Sequence, residues 1–276
     1  MTIQILNSSD YELKQIARKI QLGVPGIFFE QDLTQANYIK LMKRFGECEH
    51  PDLFMNPKDN PEIFIVTGKR DKEGKKIGMF GETELHWHSN GTVHHLSEFK
   101  EILIALYCKD ECVDTVFSLL NNRDAFLELP ESEKDYWRSI EIQLNNFGHG
   151  IYGSEAEALD DPSLDNYKPV RHEGDERMSA VNTHPVGGQE FLYWQPPLIE
   201  KAWQDGKSTD VDIVREKYKK TLDRSIYQNH FVFKKGDFLI MDQLYTLHRR
   251  SPIVNKSREL WRVAFDYTEI VQKPRL

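Results

Sequence analysis

Cysteine is scarce in this chain, long apolar runs are missing, and positive charge is in deficit. The three cysteines, Cys48, Cys108 and Cys112, stand among 276 residues at spacings that match no metal-binding pattern. So small and odd a number argues against a disulfide framework and for a reducing compartment such as the cytoplasm. No apolar stretch approaches the ~20 residues that span a bilayer. Met1-Thr2-Ile3 leads straight into polar sequence with no apolar signal region. A membrane partner is therefore not expected. The 36 basic residues are outnumbered by 44 acidic ones, giving a net charge of -8. That balance lacks the basic footprint that nucleic acid requires.

What is present is an ordinary globular composition, 39% hydrophobic and 11% aromatic, long enough to bury one substantial core in a single domain over residues 1–276. Ser8-Ser9-Asp10 reads as a helix start, followed by Leu13, Ile16, Ala17 and Ile20 at helical spacing and stopped by Gly23. Residues 26–29 read as a short buried strand. Asp32-Leu33-Thr34 caps a second helix with Tyr38, Leu41, Met42 and Phe45 on one face. Strands are expected at 62–66, 102–107, 114–118, 230–233, 238–241 and 260–267. The charged run 69–76 reads as an exposed hairpin tip. Residues 123–137 carry helical periodicity with Pro130 starting a new helix, and 210–225 form a charged amphipathic helix. Residues 148–175, rich in glycine and acids, read as a long insertion expected to be mobile and to act as a lid. Helices first, many short strands after, and no βαβ alternation predict a mainly β fold, a sandwich or jelly roll with helical decoration.

Chemistry concentrates in Trp87-His88-Ser89-Asn90 and in the C-terminal third. A His-x-Asp/Glu pair on one strand puts both side chains on the same face, because strand side chains alternate, and His88 with Asn90 has that spacing. His248 follows a turn, a buried strand and Asp242-Gln243, which places it at a strand end facing the barrel mouth. Two imidazoles and one short oxygen donor outline the facial site of non-haem Fe(II). Arg249, Arg250, Arg258 and Arg262 supply a local cationic pocket in an acidic chain.

In order and spacing these segments resemble the taurine dioxygenase family of Fe(II)/2-oxoglutarate-dependent oxygenases. The likeness covers most of the chain. Residues 23–29, 32–34 and 44–47 look like the family's opening strand and helix. Leu85 to Asn90 sits where the family has its Trp-His-x-Asp ligand pair, and Asp114-Thr115 falls where it has a Gly-Gly-Asp-Thr stretch. Thr183-His184-Pro185-Val186 with Gly188, Leu192 and Tyr193 is similar to the segment that leads into the second half of the barrel. Residues 235–242 through His248 look like its distal-histidine block, and Arg258 with Arg262 matches its paired arginines.

The resemblance implies a double-stranded β-helix (jelly roll) holding Fe(II) through His88, Asn90 and His248, with 2-oxoglutarate as co-substrate and O2 as oxidant. Thr115 and Arg258 would bind 2-oxoglutarate, the guanidinium as a bidentate partner of its far carboxylate. Arg262 would hold an anionic group of a small-molecule substrate. Glu84 would share the face of His88 if the strand is regular, as a substrate-pocket residue. His50 falls near a substrate-contacting position, and Trp194 would form a pocket wall. The expected reaction is hydroxylation with release of succinate and CO2, and a homo-oligomer remains open. The departure is Asn90, a neutral amide where the family has a carboxylate. The amide could ligate weakly and support hydroxylation. It could stand off the metal and admit water or chloride, as in a halogenase-like enzyme. Or it could mark a non-catalytic jelly-roll protein that binds a small acid.

Overall fold

The computed structural model describes residues 4–49, 56–75, 77–78, 82–89, 102–144, 177–193, 199–223, 226 and 228–267. Helix α1 (Asp10–Ile20) begins at Ser9, whose side chain accepts from the Glu12 backbone N–H while Glu12 reaches back to the Ser9 N–H. This reciprocal capping box satisfies two otherwise orphaned donors. Helix α2 (Gln35–Met42) is capped by Thr34 in the same manner as an ordinary N-cap.

Six strands form the larger sheet: β1 (Gly26–Phe28), β2 (Gly46–Cys48), β3 (Phe64–Thr67), β5 (Leu103–Asp110), β14 (Phe238–Asp242) and β16 (Glu259–Tyr267), ordered β1-β14-β5-β16-β2 with β3 also paired to β16. A four-stranded sheet contains β4 (Leu85–His88), β6 (Val116–Asn121), β13 (Gln228–Val232) and β15 (Thr246–Arg250), ordered β13-β6-β15-β4. All pairings are antiparallel.

Alternation then builds three layers. Strand β5 sends Ile104, Leu106 and Cys108 into the interior, where they meet Phe64, Phe117, Leu119, Leu239, Met241 and Leu260. Its Leu103, Ala105 and Tyr107 point outward under Leu13, Ala17 and Ile20 of α1 and Tyr38, Leu41 and Met42 of α2. Such strands read as unbroken apolar runs in the sequence because both faces are covered. The outer face of the smaller sheet, with Leu120 and Leu247, is covered by α3 (Asn122–Leu127), α4 (Glu131–Arg138) and α5 (Val211–Leu222) through Phe126, Trp137 and Tyr218. The same layer takes in an additional sheet of β7 (Ile140–Leu144), β8 (Met178–Ser179), β11 (Ile199–Gln204) and β12 (Lys207–Thr209), beside the hairpin β9 (Val181–Thr183) and β10 (Glu190–Leu192). This is the expected jelly roll with helical decoration.

Several expectations shift. Strands β7, β11 and β12 were not expected: β7 alternates strictly as Ile140-Glu141-Ile142-Gln143-Leu144, a strand signal left unread in the sequence, whereas β11 and β12 carry no strong apolar alternation. They gain order from pairing with one another. Pro130 is the N-cap of α4, one residue before its first turn. Asp114 adopts φ 62° in a turn, so β6 starts at Val116. His248 lies in the middle of β15 and not at a strand end. The 148–175 insertion lies outside the described residues. Among the described residues no helix is long and apolar enough to cross a membrane.

The turn from β14 to β15 crosses between the two main sheets, and a buried His–Asp pair fixes it. His184 Nε2 meets Asp242 Oδ2 at 2.8 Å with both side chains inaccessible. His184 Nδ1 accepts from the Val186 and Gly187 backbone N–H groups at 3.1 and 2.8 Å, so the ring proton sits on Nε2 and donates to the carboxylate. Asp242 Oδ1 accepts from Leu244 and Tyr245 N–H at 2.8 and 3.1 Å. Gly187 must lack a side chain, since a Cβ there would lie 2.7 Å from the Tyr245 hydroxyl. Replacing Asp242 by Asn turns a donor toward the His184 N–H, and His184→Ala strands a buried carboxylate oxygen and two backbone donors. Each change should lower the unfolding free energy in urea by about 1.5–3 kcal/mol, the worth of a buried hydrogen bond to a charged group, whereas Ser9→Ala should cost about 1 kcal/mol.

Candidate active site

Strands β4 and β15 bring the two distant histidines together. His88 pairs directly with His248 across the ladder, and their ring centroids lie 4.2 Å apart. The next paired residues are Arg250 and Leu85, so three steps on β4 oppose two on β15. This bulge reverses the alternation along β4. Leu85, not His86 or Glu84, joins His88 in the cavity wall. Glu84 is half-exposed, 3.9 Å from the His86 ring, and is absent from the described wall around the histidines. The even spacing that would have put it on the His88 face fails because the strand is not regular. Trp87 and Arg249 face the opposite side, with the guanidinium 4.7 Å from the indole ring centre.

Both imidazoles are buried. Burial pushes His88 down to about 4, aided by the charges of Arg250 and Arg262 and opposed by its hydrogen bond to the His86 carbonyl. Burial, then His88 and Arg262, lower His248 well below the ordinary histidine range. Both rings are therefore neutral near pH 7, the form that ligates a metal. His88 Nδ1 lies 2.7 Å from the His86 carbonyl oxygen, so Nδ1 carries the proton and Nε2 the lone pair, an orientation typical of ligating histidines. Phe117 stacks on the His248 ring at 5.7 Å.

Three guanidiniums line the same cavity: Arg250, Arg258 and Arg262, all buried. Arg258 and Arg262 do share one side, as their spacing predicted, although Arg258 precedes β16. Thr67 on β3 anchors the Arg258 backbone through a 2.7 Å hydrogen bond to its carbonyl. Arg262 lies over the Phe64 ring at 4.9 Å. Arg250 Nη1 donates to the Thr83 carbonyl at 2.6 Å and the Ser251 carbonyl at 3.2 Å. Arg250 lines the cavity as a member of the expected cationic pocket. Its position two residues beyond His248 on one strand was the available signal that both share a face. Thr115 is buried next to β6, with its N–H donating to the Cys112 carbonyl at 3.0 Å.

Thr115 Oγ1 and Arg258 Nε are buried polar atoms with no hydrogen-bond partner. Such atoms cost about 1–3 kcal/mol each unless a ligand or water satisfies them. Two adjacent neutral imidazoles fit a divalent metal, and the orphaned Arg258 N–H in the same cavity fits an anionic acceptor beside it; Thr115 is buried outside the lining of that cavity. Among the described residues, no three His, Cys, Asp or Glu side chains gather as metal ligands. Asn90, the expected third donor, lies outside the described residues, as do His50 and Trp194.

The family model described as "Taurine catabolism dioxygenase TauD, TfdA family" matches residues 6–264. Among solved structures, a taurine dioxygenase from Burkholderia xenovorans is similar at TM-score 0.69 and 15% identity, covering 96% of this chain and 84% of that one. AAD-2 in complex with Mn(II) and N-oxalylglycine is similar at TM-score 0.69 and 16% identity, covering 98% and 92%. These likenesses confirm the fold. No curated protein matches the chain. The family match spans nearly the whole sequence, so the chain belongs to the TauD, TfdA family and is a 2-oxoglutarate-dependent oxygenase that works with Fe(II).

Proposed function

We propose that the protein hydroxylates a small substrate bearing an anionic group, and that His88, Asn90 and His248 hold the iron. The observation that carries this reading is the single cavity in which two neutral histidines face three buried guanidiniums. Iron bound here with 2-oxoglutarate would activate O2, one oxygen atom entering the substrate C–H bond as a hydroxyl and the other entering the succinate that is released with CO2. Every other task falls to side chains. The His86 carbonyl keeps the His88 proton on Nδ1, so that Nε2 remains a donor to metal. Arg258 meets the far carboxylate of 2-oxoglutarate in a bidentate pair, and the Thr115 hydroxyl donates to the same group. Arg262, held against Phe64, is left to orient the substrate's anion. Val66, Ile104, Leu106 and Leu260 keep the surroundings apolar, which strengthens these charge contacts. The cavity is only about 30 Å³, room for about one water, so the co-substrate enters with rearrangement of the arginine side chains.

Asn90 offers a carbonyl oxygen of nearly carboxylate shape but no charge. It leaves the Fe(II)/2-oxoglutarate complex one unit more positive than a carboxylate ligand would, which suits a site for an additional anion.

Anaerobic addition of Fe(II) and 2-oxoglutarate should produce a weak visible charge-transfer band, and admission of air should yield succinate. If neither appears at high metal concentration, the enzymatic reading is wrong. Arg258→Lys should raise the 2-oxoglutarate Kd by about tenfold or more, because an ammonium cannot form the planar two-point contact. Thr115→Ala should raise it by about fivefold, the worth of one hydrogen bond; calorimetric titration reads both. Asn90→Asp should tighten iron binding and shift the band, and an unchanged iron affinity would place Asn90 outside the ligand set.

A further inference from the structure

A second cavity, of about 350 Å³, lies on the reverse side of the strands that carry the two histidines. Strand β4 contributes Trp87 to its wall, β15 contributes Arg249, and α5 contributes Arg215, Lys219 and Leu222. The α5 residues recur at helical spacing, beside the stripe of Val214, Tyr218 and Thr221 that packs the helix inward. Strand side chains alternate, so Arg249 turns outward between His248 and Arg250, and its strand is the wall between this cavity and the metal cavity. The Arg249 guanidinium lies over the Trp87 ring, and Trp87 packs in turn on the apolar layer beneath α5. Ser118 stands opposite Arg249 on the β6–β15 ladder, but its hydroxyl is engaged by His230 Nδ1 at 2.7 Å. Arg215 is fixed by Asp212 at 2.9 Å and by the Ile199 carbonyl. Lys219, one turn further along α5, has no such tie. Among the described residues no carboxylate pairs with Arg249 or Lys219.

We propose that this cavity is a second binding site, separate from the iron site, for a small organic anion with a carboxylate or phosphate head and an apolar body. The unpaired cations set the sign of the ligand. Arg249 is half-buried without a counter-ion, and a cation partly withdrawn from water is stabilised by an anion brought to it. Stacking on Trp87 occupies the face of the guanidinium and leaves its N–H edge for oxygen acceptors. Lys219 adds an ammonium with three rotatable donors on the facing wall. Glu216 and Asp223 also border the cavity, but both are exposed, so water weakens their repulsion of an anion. Leu222 and Trp87 supply apolar surface for a ring or short chain. The volume falls at the lower end of the ~300–1,000 Å³ typical of small-molecule sites. An occupant touches Trp87 and Arg249, the chain neighbours of His88 and His248, from the side away from the metal cavity. The inference does not depend on which residues hold iron.

The test titrates metal-free protein by calorimetry with phenyl phosphate, benzoate and inorganic phosphate. Saturable binding of phenyl phosphate or benzoate is expected, and the tighter of the two identifies the head group. Inorganic phosphate, which lacks the apolar body, should bind about tenfold more weakly than phenyl phosphate or worse. Lys219→Gln and Arg249→Gln should each raise the Kd by about tenfold or more, the loss of a hydrogen bond to a charged group. Lys219 is exposed, so its replacement leaves the fold intact and the test does not rest on Arg249 alone. Two controls should leave the Kd unchanged: Lys220→Gln, which removes an equal charge from α5 outside the cavity wall, and Arg258→Lys, in the metal cavity. An unaltered Kd in Lys219→Gln, or an equal loss in Lys220→Gln, would mean general attraction to surface charge and overturn the proposal. Loss of binding in Arg258→Lys would put the probe in the metal cavity and overturn it too, as would no saturable binding at millimolar probe. Equal affinity for inorganic phosphate would overturn the organic class of the ligand.

Discussion

The hydrogen bond from His184 to Asp242 joins three parts of the chain at the point where it passes from one sheet to the other. His184 closes the turn between β9 and β10, Asp242 ends β14, and the two backbone N–H groups that Asp242 accepts begin the approach to β15. The ring packs on Tyr245 at 4.3 Å, whose hydroxyl returns to the Gln189 carbonyl. A carboxylate buried to this degree is tolerable only with every oxygen engaged. The turn is consequently held in one geometry, and with it the register of β15. That register decides whether His248 faces His88 or the outer helices, because a slip of one residue exchanges the two faces.

Placing the histidines between the sheets has an electrostatic consequence. Interior burial keeps both imidazoles unprotonated, and the neighbouring guanidiniums push in the same direction. The arginines are buried as well, Arg250 and Arg262 on strands whose outward faces are already committed to the α5 layer or the α1 and α2 layer, and Arg258 just before β16. Neutral donors for a cation and charged donors for anions thus occupy one small volume. A ligand that contributes both a chelating end and a carboxylate complements that arrangement, which is the chemistry the family requires.

Much of this was legible along the chain. The capping box at Ser9 and Glu12 and the Thr34 cap are contacts over three residues, and local pattern finds them. Strands β5, β14 and β16 announced themselves as apolar runs because both faces are covered. His88, His248, Arg258 and Arg262 were marked by motif order and line one cavity, whereas Thr115, marked in the same way, is buried beside β6 outside that lining. Other features left little trace. Strands β11 and β12 are short and mixed in polarity, so only their partners define them. The bulge in β4 leaves no mark in the residues themselves, and it moves Glu84 away from the histidines while admitting Leu85.

Helix ends and doubly buried strands follow from chain-local chemistry, caps and alternation, and the order of motifs along the chain singles out His88 and His248. The facing of His88 and His248, the burial that keeps them neutral, the reversal within β4 and the burial of Arg250 do not follow in this way. Each depends on hydrogen bonds and packing between segments far apart in the chain, whose register and depth exist only after the two sheets have closed on each other.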